Sequence, residues 1–111
     1  MVAENYETIL LEVDVQGVAL LTINRPQVRN ALNQTMVDEI GAALTSLEGR
    51  DDIRTLIFTG AGDKAFLGGA DIAELKARDA AAARRRINTN LFAQIERFPV
   101  PTIAAVRGFA L

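Results

Sequence analysis

The sequence predicts an α/β fold, and three observations carry the prediction. Residues 7–14 show the two-residue alternation of a strand, and 18–24 read as a second, more apolar strand. Between Asn33 and Gly49, apolar residues recur at three- and four-residue steps, which is one face of a helix. The β-branched run Thr55–Thr59 then fits a further strand, so the order is strand, strand, helix, strand.

In the first run Ile9, Leu11 and Val13 alternate against Leu10, Glu12 and Asp14, giving one wetter face. Asp14-Val15-Gln16-Gly17 supplies turn residues, and Val18–Asn24 completes a hairpin. Arg25-Pro26 ends it, because proline donates no ladder hydrogen bond and keeps the preceding residue extended. Asn33 is the expected N-cap of the helix, whose inner stripe is Met36, Val37, Ile40, Ala43, Leu44 and Leu47. Asp38 and Glu39 are expected near its positive end, with Gly49 as terminator. Arg50–Ile53 leads into the strand Arg54–Thr59. Farther on, Asp71–Arg78 reads as a short helix, and Asp79 is expected to cap a second reaching Phe98, with Ile87, Leu91, Ile95 and Phe98 inward. Pro99-Val100-Pro101 stops it before an apolar strand over Thr102–Val106.

Composition narrows the chemistry. With 111 residues, half of them apolar, 23% charged and a net charge of −2, the chain suits one soluble globular domain and not a nucleic-acid binder. No apolar run approaches a membrane span, and Met1–Leu11 has neither the basic start of a signal peptide nor that of a transit peptide. A cytoplasmic protein with no membrane or nucleic-acid partner is the expectation. The absence of Cys excludes thiolate nucleophiles and Cys-based zinc sites, and no metal site is expected. The absence of His removes the commonest general base and any Ser-His-Asp triad. Ser46 is the only serine and reads as helix surface, which leaves carboxylates, Lys64, Lys76, Tyr6 and the backbone. Three consecutive arginines, Arg84–Arg86, point in different directions on one helical turn and read as a solvated face.

The stretch Lys64–Leu75 is the chemical centre of this reading. A strand enters it, Gly68-Gly69-Ala70 leaves the main chain bare, and a helix-compatible segment leaves from Asp71. Such a turn gathers free amide donors and the positive end of a helix dipole, a geometry that suits an anion or an oxygen gaining negative charge. A plain strand-to-helix turn gives the same pattern. A second glycine motif, Gly60-Ala61-Gly62-Asp63-Lys64-Ala65, fits G-x-G-x-x-A, with Asp79 near the place of a ribose-binding acid. A dinucleotide site would need a long helix through Ala65, and Gly68-Gly69 would break that helix within a turn.

Three ordered segments resemble the enoyl-CoA hydratase/isomerase (crotonase) superfamily: Asn24-Arg25-Pro26 with Asn30-Ala31-Leu32, then Lys64–Ile72, then Pro101–Leu111. The resemblance covers essentially the whole chain. It implies a crotonase-like (ClpP/crotonase) spiral of ββα units, incomplete at the C-terminal end, with residues 1–111 the N-terminal part of a single domain. It further implies a coenzyme A thioester as substrate, no resident cofactor, and a homo-oligomer, trimer or hexamer, in the full-length protein. The resemblance assigns the Ala70 backbone N–H as one of two donors to the thioester oxygen. It puts coenzyme contacts at Gln27, Val28, Ala31, Gly68, Gly69, Asp71 and Ile72, with Lys64 a further phosphate candidate. Where relatives usually carry Ala or Ser, this chain has Gly68, which is expected to make the main chain more flexible. The family's second oxyanion donor and the two glutamates of hydration follow the Phe-Ala-Leu segment, so neither falls on a residue here. Glu74, the nearest carboxylate, matches a helix-surface position.

The leading expectation is therefore an enoyl-CoA hydratase-like lyase of fatty-acid β-oxidation, with these 111 residues inactive by themselves. The apolar run reaching Leu111 without a cap or polar tail is read as a sign of a longer polypeptide. A non-catalytic acyl-CoA-binding or assembly module, an isomerase of the same family, and a small nucleotide-binding domain are the alternatives.

Overall fold

A computed structural model describes residues 2–69 and 81–110, with side chains for 6–69 and 89–110. The strands are β1 (Val2–Asn5), β2 (Ile9–Val13), β3 (Val18–Ile23), β4 (Thr55–Gly60), β5 (Ala65–Leu67), β6 (Thr102–Ala105) and β7 (Phe109–Ala110). The helices are α1 (Gln34–Glu48) and α2 (Ala81–Glu96). Five strands form one sheet in the order β1-β2-β3-β4-β6, and β5 pairs with β7 in a second. β1, β2 and β3 are antiparallel neighbours, whereas β3, β4 and β6 run parallel.

Alternation builds the core as expected. The register sets Ile9 opposite Ile23, Leu11 opposite Leu21 and Val13 opposite Ala19, then Ala19 opposite Leu56 and Leu21 opposite Phe58. All of these side chains are buried, and they form one continuous apolar row on one face of the sheet. The six predicted residues of α1 join that same cluster. Leu91 and Phe98 add to it from the C-terminal part, and Ile95 packs partly buried beside them. The Asn33 side chain caps α1 by accepting from the Met36 N–H at 2.9 Å.

Several expectations need correction. β1 was not foreseen; it extends the hairpin outward by pairing with β2. β5 and β7 were also unforeseen, and each is only two or three residues long. Helix α1 ends at Gly49 with φ −79° and ψ 0°, not in the left-handed region. Asp38 and Glu39 lie beyond its first turn. The Asp38 carboxylate instead accepts from the Gln34 amide at 2.8 Å. The strand Thr102–Ala105 forms, but its residues are all exposed, because β4 is its only sheet neighbour among the described residues. The proposed helix over Asp71–Arg78, the Asp79 cap and the side chains of Arg84–Ile87 lie outside the described residues.

Glu39 has a different task from the one its position suggested. Its carboxylate accepts from the backbone N–H groups of Glu7 and Thr8, each at 2.7 Å, and from the Thr8 hydroxyl. This clasp ties α1 to the start of β2. Partial burial resists ionisation of Glu39, but the hydrogen bonds from the Thr8 hydroxyl and the two backbone N–H groups outweigh it and hold the pKa below its ordinary value of 4.5. A depressed carboxyl pKa contributes stability that is complete above the unfolded-state value and is lost as pH falls through the folded-state value. Replacing Glu39→Gln should therefore lower stability at pH 7 by on the order of 1 kcal/mol for this partly exposed group. Urea melts from pH 7 down to pH 3 should show the wild-type protein losing this increment below about pH 4.5 and the variant lacking that step.

Candidate functional site

The site begins where β3 ends. Asn24 donates to the Thr8 carbonyl at 2.9 Å, and Pro26 opens a single 3₁₀ turn over Pro26–Val28. Arg29 and Asn30 then both take left-handed backbone angles, φ 55° and 57°. That reversal is unusual for side-chain-bearing residues, and asparagine tolerates it best. The loop is braced from within. Val28 and Asn30 donate to the Arg25 carbonyl at 3.0 and 2.8 Å, and Ala31 donates to Val28 at 3.1 Å. The Arg25 guanidinium closes the loop on the Ala31 carbonyl at 2.7 Å.

Of the predicted contact residues here, Gln27 and Val28 are exposed on the 3₁₀ turn and Ala31 is half-buried. The N–H groups of Val28 and Ala31 already donate inside the loop.

The second motif lies directly against the first. Ala65–Leu67 is strand, not helix, which removes the geometric basis for a dinucleotide fingerprint through Ala65. Leu32 donates to the Gly69 carbonyl at 2.7 Å, and Gly68 donates to the Asn30 carbonyl at 3.4 Å. Gly69 has φ +93°, a conformation that suits glycine. The third motif completes the junction. β7 runs parallel to β5, with Ala65 opposite Phe109 and Leu67 opposite Ala110, and Phe109 donates to the Lys64 carbonyl at 3.2 Å. All three motif segments thus meet around β5. Ala70, Asp71, Ile72 and Glu74 lie outside the described residues.

Two cavities flank this junction. One, of about 190 Å³, is lined by Pro26, Arg29 and Asn30 on one side and by Gly62, Asp63 and Lys64 on the other. Its walls mix apolar and charged groups, with two cations, Arg29 and Lys64, and one carboxylate, Asp63. The other, of about 310 Å³, is apolar, and Leu32, Phe66, Leu67, Leu91 and Phe92 are among its lining residues. Sequence reasoning did not foresee the apolar cavity, because its walls come from segments far apart in the chain. Among the described residues no group of three or more acidic side chains is placed to hold a metal, and no helix is long and apolar enough to cross a membrane.

Comparison with known proteins gives the same direction. Residues 14–111 match the family model described as enoyl-CoA hydratase/isomerase. This chain belongs to that family. It is 44% identical over 108 residues to the crotonyl-CoA hydratase of Syntrophomonas wolfei, covering 96% of this chain and 41% of that one. It is 40% identical over 96 residues to the short-chain-enoyl-CoA hydratase of Clostridium acetobutylicum, covering 85% and 37%. Among solved structures, the enoyl-CoA hydratase of Bacillus anthracis superposes with a TM-score of 0.87 at 29% identity, covering 94% of this chain and 41% of that one. An enoyl-CoA hydratase/isomerase from Xanthobacter autotrophicus gives a TM-score of 0.85 at 40% identity, covering 94% and 40%. The fold is therefore the crotonase fold, of which this chain forms part. The chain spans about two fifths of the length of the relatives it matches.

One departure from the family pattern acquires a physical reason. A Cβ added at Gly68 would fall far inside contact distance of the Arg29 carbonyl oxygen, a backbone atom with little freedom to yield. Gly68 is thus required by close approach of the first motif, and the expectation of extra flexibility is not its explanation. Gly68→Ala should cost about 1–3 kcal/mol in a denaturation melt, the range for forced overpacking. Gly41→Ala is the matched control: its Cβ would meet the Gln94 amide oxygen at an ordinary 3.7 Å. That change, within α1, should be neutral or stabilising by up to about 1 kcal/mol.

Proposed function

We propose that this chain supplies the N-terminal, acyl-CoA-binding part of an enoyl-CoA hydratase acting in fatty-acid β-oxidation. The observation that carries the reading is the meeting of all three motif segments on β5, with a cavity of mixed apolar and charged walls on one flank and an apolar one on the other. The mixed cavity suits the coenzyme, with Arg29 and Lys64 available to its phosphates. The apolar cavity suits an acyl chain.

In this reading the Ala70 N–H donates to the thioester oxygen as it becomes enolate-like, and a fixed backbone dipole stabilises that charge without reorganising. Gln27, Val28, Ala31, Gly68, Gly69, Asp71 and Ile72 line the path of the coenzyme. Coenzyme A arrives as part of the substrate, and no resident cofactor takes part. The second donor and the two glutamates that add water across the double bond fall, by the resemblance, outside the 111 residues, so this chain binds substrate without hydrating it. The complete enzyme is read as a cytoplasmic homo-oligomer, a trimer or paired trimers, as is common in the family.

Calorimetry with crotonyl-CoA should give saturable binding to the 111-residue chain, while loss of the enoyl absorbance stays at background. Ala70→Pro removes the N–H and should weaken that binding by about two- to tenfold, the worth of one hydrogen bond to a neutral carbonyl. Clear turnover by the chain alone, abolished by Ala70→Pro, would overturn the assignment of the acid–base groups elsewhere.

A second reading is a non-catalytic binding or assembly module, and the large apolar side chains left open near the third motif bear on the choice: Ile103 and Val106 are each 51% exposed and Phe109 62%. Light scattering during size exclusion separates the two. A stable monomer that binds acyl-CoA tightly favours the module, whereas self-association that fades with Ile103→Lys and Phe109→Lys favours a surface meant to be covered in a larger protein.

A further inference from the structure

Asn30 is the most enclosed polar side chain of the junction, 1% exposed, and nothing in the motif reading gave it a role. Its amide oxygen accepts from the Arg25 N–H at 2.9 Å. Its amide nitrogen donates to the Ala61 carbonyl at 3.0 Å and to the Ala65 carbonyl at 2.7 Å. Its main chain adds two more bonds, N–H to Arg25 and C=O from Gly68. One residue therefore joins the start of the first loop, the turn after β4, the first residue of β5 and the glycine pair.

No other side chain performs this set. Aspartate keeps the acceptor but turns two donors into lone pairs facing carbonyl oxygens. Glutamine is a methylene too long for a site that is 1% exposed and already sets the amide nitrogen 3.0 and 2.7 Å from two carbonyl oxygens. Alanine leaves two buried carbonyls and one N–H without this partner and disfavours φ 57°. Asparagine alone combines the tolerated left-handed backbone with one acceptor and two donors on a short stem.

We infer that Asn30 is a positioning residue for acyl-CoA: its carboxamide fixes the separation between the coenzyme-facing loop Pro26–Ala31 and the Gly68-Gly69 pair. The inference rests on the proposed acyl-CoA function for its ligand, but its structural half stands alone. Removing the carboxamide releases the first loop from β5, so the Leu32–Gly69 bond opens while the sheet and α1 remain. The two sides of the ligand path then lose their register, and affinity falls without loss of the core.

The test compares Asn30→Gly, Asn30→Ala and Asn30→Asp with Asn33→Ala in the 111-residue chain. Asn30→Gly keeps the left-handed backbone without the carboxamide. Asn33→Ala removes the helix cap, a side-chain bond to the Met36 N–H that reaches no residue assigned to the ligand path, and destabilises the fold by about 1 kcal/mol. Two quantities are read: amide hydrogen exchange at Leu32 relative to Leu21 in the core sheet, and the Kd for crotonyl-CoA. The Asn30 variants should speed exchange at Leu32 by about tenfold or more over any change at Leu21, and raise Kd by about tenfold or more. Asn33→Ala should change the Leu32-to-Leu21 ratio and the Kd by less than about twofold.

If the Asn30 variants shift both amides equally, or bind as Asn33→Ala does, the positioning role is wrong while the acyl-CoA reading stands. Failure of the wild-type chain to bind crotonyl-CoA overturns the acyl-CoA reading, and with it the ligand half of this inference. The exchange ratio still decides the structural half. Should every Asn30 variant unfold, the wild-type chain decides: a common splint requires the Asn30 and Leu32 amides to open together, and a Leu32 amide exchanging more than about tenfold faster would overturn it.

Discussion

The junction depends on main chains approaching one another too closely for a side chain to intervene. At Gly68 the first motif's carbonyl lies where a Cβ would be, and at Gly108 the Lys64 carbonyl does the same. Gly60 is nearly as tight, with the Phe66 carbonyl oxygen 2.8 Å from its Cβ direction. The contacts at Gly68 and Gly108 join segments about forty positions apart or more. Glycine here permits proximity, and proximity brings backbone groups of separate motifs together. Hydrogen bonds such as Leu32 to Gly69 and Phe109 to Lys64 then hold the distance.

The core serves this junction by making its position non-negotiable. Ile9, Leu21, Met36, Leu44, Leu47 and Leu56 are almost fully excluded from water, and they lock α1 to the face of β2, β3 and β4. The two loops that leave the ends of β3 and β4 therefore emerge side by side, with Ala61 donating to Ile23 at 2.7 Å. Parallel pairing of β3 with β4 is the cause: parallel neighbours present their C-terminal ends at the same edge, where ligand sites of α/β folds gather. The first and second motifs lie on those two loops. Among the described residues, only this edge combines left-handed side-chain-bearing residues, glycines and a buried amide.

How much of this could be read in advance follows from the range of the interactions. The hairpin, the cap at Asn33 and all six core residues of α1 were legible, because each depends on neighbours a few residues away. The strand β5 was not, since three residues carry no periodicity and β7 lies more than forty positions later. Glu39 was misplaced for a similar reason. By position it belonged to the helix dipole, yet its partners Glu7 and Thr8 come from the opposite end of the hairpin. Asn30 lies within a motif, and only its surroundings reveal that both amide hydrogens and one lone pair of the amide oxygen are engaged.

By itself the sequence determined the β2–β3 hairpin, α1 and β4, their order, and the buried stripes of β2 and α1, because period and capping are local properties of the chain. It also determined the family, since three motifs in the right order are a linear pattern. Tertiary structure alone decided that Gly68 stands against Arg29, that Ala65–Leu67 is strand, and that Asn30 reaches Ala61 and Ala65. Those facts arise from contacts between residues more than thirty positions apart, and no local signal encodes a distance that only packing sets.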